Sequence, residues 1–89
     1  MSPEQIKEVL AKKEGAPCRF TNAVEVTERF KGKIVWQGTV LVFALNRPPD
    51  ELCYCWIDPD SQSLVTVLNR PPVESPETAV RAYIMSRGK

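Results

Sequence analysis

Leu45-Asn46-Arg47-Pro48-Pro49 and Leu68-Asn69-Arg70-Pro71-Pro72 spell the same phrase, LNRPP, twice in 89 residues. Each copy follows a run of apolar and β-branched residues. Asparagine favours turns, the first proline drives its predecessor out of helical geometry, and neither proline can donate to a ladder. The phrase therefore reads as a stop signal placed at the end of a strand. Two strands that end alike raise the question of whether they also end in the same place.

Working outward from the first copy, Ile34 to Leu45 predicts a long strand, and Cys18 to Phe30 alternates as a strand before it. Between them Lys31-Gly32-Lys33 is a tight turn with glycine supplying the positive φ. Gly38, inside the second strand, predicts a bulge. Such a bulge sets Trp36 on one side with Leu41, Phe43 and Leu45, and leaves Val40, Val42 and Ala44 on the other. Beyond the first LNRPP, Leu52 to Ile57 is a third strand, Asp58 to Gln62 a turn, and Ser63 to Leu68 a fourth strand.

The chain ends read as helices. Ser2 is a good N-cap, Pro3 suits the first helical position and Gln5 completes a capping box. Ile6, Val9 and Leu10 then recur at helical spacing, and Gly15 and Pro17 end the element. Ser2-Pro3-Glu4 is echoed by Ser75-Pro76-Glu77, which opens a second helix with Ala79, Val80, Tyr83 and Ile84 as its apolar stripe. The predicted fold is α+β in the order αββββα: a four-stranded antiparallel meander with an N-terminal and a C-terminal helix, in one domain spanning residues 1–89. In a meander the second and fourth strands run the same way, so both LNRPP phrases project from one rim, roughly 10 Å apart.

Charge excludes little and favours little. Twelve basic residues against 11 acidic give a net charge of +1, which argues against a dedicated polyanion binder. The longest apolar run, Val40 to Leu45, is far short of a membrane span, so no membrane partner is expected. The three cysteines form an odd set with Cys53 and Cys55 one residue apart, a pattern that fits free thiols in a reducing cytoplasm. The N-terminus reads as no secretory signal.

The absence of histidine removes the commonest general base and metal ligand. Cys18, Cys53 and Cys55 lack a fourth strong ligand for zinc, and Asp58-x-Asp60-x-Gln62 lacks the glycine and glutamate of a calcium loop. No metal, cofactor or catalytic residue is expected, and the chain is not read as an enzyme. A contact surface is expected, with three alternative places for it, the first of them the leading one. Two short helices on one side of the sheet leave Val40, Val42, Cys53, Cys55, Ile57, Val65 and Val67 as an apolar face for a second copy or another protein, whereas one helix on each face buries both sides. Arg29, Lys31, Lys33 and Arg87 form a basic hairpin tip suited to nucleic acid, with Trp36, Tyr54 and Trp56 more suited to core than to stacking. Arg47 and Arg70 on the shared rim are candidates for an anion or small ligand, provided that Asp50, Glu51, Glu74 and Glu77 leave them free.

Overall fold

The structure, a computed structural model, describes residues 2–47, 51–58 and 61–87. Pro48, Pro49 and Asp50 of the first proline turn, Pro59 and Asp60 of the next, Lys89 and the Arg87 side chain lie outside the described residues. The elements run α1 (Pro3–Glu14), β1 (Cys18–Phe30), β2 (Lys33–Leu45), β3 (Glu51–Ile57), β4 (Leu64–Leu68) and α2 (Pro76–Arg87). The strands lie in the order β1-β2-β3-β4, each antiparallel to its neighbour. This is the αββββα meander.

The caps that define the helices are those the sequence spells. The Gln5 amide donates to Ser2 Oγ, and the Ser2 amide donates to Gln5 Oε1 at 2.8 Å, closing the capping box. Gly15 ends α1 in the left-handed region at φ 68°, its amide reaching the Ala11 carbonyl at 2.9 Å. At α2 the exchange uses Thr78. Its amide donates to Ser75 Oγ at 3.2 Å, and the Ser75 amide donates to Thr78 Oγ1 at 2.8 Å. The β1–β2 turn places both Lys31 (φ 52°) and Gly32 (φ 79°) at positive φ. A two-residue turn of that kind matches the twist of the strands it joins.

Gly38 is not a bulge, contrary to expectation. It pairs regularly with Val26. The irregularities lie at Thr21, an extra residue in β1 between Phe20 and Asn22, and at Val35, an extra residue in β2 between the partners of Glu28 and Arg29. The parity of β2 therefore holds from Trp36 to Leu45. Trp36 shares a side with Val40 and Val42, while Leu41, Phe43 and Leu45 take the other.

Each side carries one helix. Under α2, Val26, Trp36, Val40, Val42, Tyr54 and Trp56 pack with Val73, Ala79 and Val80. Under α1, Ile6 and Leu10 pack with Cys18, Phe43, Leu45, Cys53 and Cys55. The expectation of a single open apolar face is corrected accordingly: both faces are cores. The reason is the α1 stripe, whose Ile6 and Leu10 settle on the cysteine side, while the larger α2 stripe takes the tryptophan side.

The sheet is uneven. β2 pairs with β3 only from Leu41 to Leu45, whereas β1 and β2 stay paired to their turn. The two 13-residue strands outrun β3 (7 residues) and β4 (5 residues) and continue as an arm.

Candidate interaction surface

The two LNRPP arginines do meet on one rim, and both meet Glu51. Arg47 Nη2 lies 3.0 Å from Glu51 Oε1 and 3.2 Å from Glu14 Oε1, and its Nη1 donates to the Glu14 carbonyl at 2.9 Å. Arg70 grips the same Glu51 carboxylate through Nε and Nη2. The hydrogen bonds from Arg70 and then Arg47 hold the Glu51 carboxyl below its usual range. One carboxylate thus occupies the position between two guanidinium groups that an external anion needs. An open cleft of about 550 Å³ beside this rim has Arg19, Asn46 and Glu51 as its polar lining, and Glu51 is already committed.

The seven residues read as one interface separate onto two faces. Val40 and Val42 are buried under α2, with Val65 and Val67 packed against the same cluster. Cys53 and Cys55 are buried under α1, and Ile57 shares their side by strand alternation. The thiols behave as core groups. Cys53 Sγ lies 3.8 Å from Cys55 Sγ, and the Cys18 thiol donates to the Lys7 carbonyl at 3.3 Å. The hydrogen bond shared by Cys53 and Cys55 lowers the first thiol and, together with burial, pushes the second far up, while burial raises Cys18. Cys53 is itself fully buried, so no thiol here combines a lowered pKa with the access a nucleophile needs.

The aromatics are equally committed. Trp36 meets Trp56 edge to face at 5.7 Å, and Trp56 meets Tyr83 at 5.5 Å, so one ladder of rings ties β2 and β3 to α2. Tyr54 accepts a hydrogen bond from the Asn69 side chain at 2.9 Å. None of these rings offers an exposed stacking surface. Asp58 is buried and accepts from the Ser61 amide at 3.1 Å and hydroxyl at 2.8 Å, the arrangement of a closed turn.

The end of the arm differs from everything so far. Every residue from Arg29 to Val35 is exposed. Phe30 is 64% exposed, Ile34 48% and Val35 47%. Arg29, Lys31 and Lys33 stand among them without an ion pair among the described residues, and Lys31 Nζ sits 5.4 Å from the Phe30 ring centre. The fourth residue of the expected basic tip, Arg87, is the last of α2. Farther back on that helix, Arg81 reaches Glu28 of β1 at 3.0 Å. The cations of the tip were legible in the sequence and its apolar members were not singled out. The available signal was length: β1 and β2 run well beyond what two shorter strands can cover. No family model matches the chain, and no curated protein or solved structure is significantly similar to it.

Proposed function

We propose that this chain is a non-catalytic interaction module whose contact surface is the β1–β2 arm, not a sheet face. The observation that carries the reading is the run Arg29 to Val35, exposed at every residue yet holding three large apolar side chains. A solvated hairpin tip is ordinarily polar, and a cluster of exposed apolar groups suits a partner. The carboxylates and thiols that chemistry would draw on are engaged in the fold at Glu28, Glu51, Asp58, Cys53 and Cys55. Free, buried thiols fit a reducing compartment, which supports a cytoplasmic setting.

A photo-crosslinking residue placed in living cells at Phe30 tests this without knowing the partner. Adducts of discrete mass from Phe30, and none from the exposed α1 position Glu8, support the arm; the reverse pattern refutes it. A second reading rests on Arg29, Lys31 and Lys33, whose charges are uncompensated beside an exposed ring: single-stranded nucleic acid bound at the tip. Retention of a single-stranded probe that weakens steeply with salt supports that reading, and no retention at low salt removes it.

A further inference from the structure

We infer that the occupant of the arm is a second copy of this chain, joined edge to edge through β1 about a two-fold axis at Thr27. The inference rests on the arm reading above. β1 is an edge strand of 13 residues with no neighbouring strand on its outer side among the described residues. Long edges invite strand pairing unless they are blunted; β1 has neither proline nor lysine, and its charges, Arg19, Glu25, Glu28 and Arg29, are of both signs and so can pair across a second copy. Its only extra residue is Thr21; the irregularity opposite Glu28 and Arg29 puts its extra residue, Val35, in β2, so β1 itself carries no insertion from Asn22 to Phe30.

Symmetry restricts the register. A strand that pairs antiparallel with its own copy must be centred on a residue, because opposed side chains share a side of the pleat. Centring on Val24 sets Arg19 against Arg29 of the second copy, and centring on Glu25 or Glu28 sets like charges against each other. Centring on Asn22 pairs Arg19 with Glu25 but runs through the Thr21 bulge. Centring on Ala23 or Val26 pairs no charges. Centring on Thr27 sets Glu25 against Arg29 twice and Val24 against the exposed Phe30 twice. The Thr39 hydroxyl already holds Glu25 Oε2 at 2.5 Å, leaving the other oxygen for the incoming guanidinium.

α2 supplies a separate observation. Arg81 reaches Glu28, so that flank of the helix looks toward the β1 side of the sheet. Met85 lies one turn farther along the same flank and is 71% exposed, an apolar group that the described residues leave largely uncovered. A second sheet continuing from β1 covers it.

The test is sedimentation of the full chain from about 1 to about 200 µM, where mass action separates monomer from dimer. The wild type sediments at twice the chain mass at the upper end. Glu25→Arg and Arg29→Glu each weaken association at least about tenfold, since each opposes two like charges, and the double exchange restores it. Circular dichroism confirms that each variant is folded. A wild type that stays monomeric throughout overturns the second copy and leaves the arm itself to the crosslinking experiment. A dimer indifferent to the exchanges and to Phe30→Ser overturns the arm as its contact. A dimer lost in both single variants but not recovered in the double overturns the Thr27 register.

Discussion

Replacing Gly38 by alanine probes why β2 tolerates glycine at all. A Cβ built there lies 3.0 Å from Trp36 Cη2 and 3.3 Å from Cζ2. The indole lies across the glycine two residues on, and it cannot easily withdraw, because its other neighbour is Trp56 at 5.7 Å. Two opposed effects decide the sign. Glycine in a strand costs roughly 0.5–1 kcal/mol of backbone entropy relative to alanine, which favours the substitution. Forcing a methyl into a packed core costs roughly 1–3 kcal/mol, which opposes it. The net expectation is a loss of about 1 kcal/mol. In a Trp36→Phe background the six-membered indole ring is absent, the clash goes with it, and the same substitution becomes neutral or stabilising. Urea unfolding followed by far-ultraviolet circular dichroism measures both legs of the cycle. A Gly38→Ala that stabilises the wild type, or that costs the same in both backgrounds, refutes the reasoning.

Three further outcomes follow from contacts of the same kind. Leu10→Ala, fully buried under α1, loses about 2–5 kcal/mol of unfolding free energy in urea, whereas Val9→Ala on the exposed flank of the same helix loses far less. Glu51 has a lowered carboxyl, so its contribution is complete above the unfolded value of about 4.3 and is lost as pH falls through the lower folded value; Glu51→Gln flattens the acid limb of a stability–pH profile, and an unchanged limb counts against the bridging role. The three thiols resist Ellman's reagent in the native state and all react in urea, so rapid native labelling contradicts their burial.

The helices, the strand order and the ends of the strands were legible from local signals, because each depends on residues a few positions apart. Ser2, Pro3 and Gln5 cap α1 whatever it packs against, and LNRPP ends a strand whatever lies beside it. The shared rim of Arg47 and Arg70 follows from the meander alone. Their neutralisation could be anticipated, since Glu51 opens β3 just after the first LNRPP, but the help that Arg47 draws from Glu14 joins residues far apart in the chain. What failed to read locally was side. Which face of a strand each helix covers depends on how two elements meet, and a single misplaced bulge at Gly38 moved Trp36 away from Val40 and Val42. With the true irregularities at Thr21 and Val35, the alternating pattern sorts itself into a tryptophan side for α2 and a cysteine side for α1.

That sorting bears on function. A sheet with one helix on each face has only its edges left to offer. At the β4 edge the strand is short, its residues are half-buried, and Lys13 of α1 reaches across to Thr66 at 2.6 Å. At the β1 edge the strand is long and mostly exposed. The arm that carries it divides at Glu28 and Trp36. Up to those residues it supports α2, through Val26, Trp36 and the Glu28–Arg81 pair. From Arg29 to Val35 no residue is buried. A two-stranded ribbon is marginal in water by itself, and apolar side chains at its tip gain nothing from solvent. The fold is served by an arm that stops at Trp36, so the exposed apolar length beyond it is the part of this chain that a partner explains best.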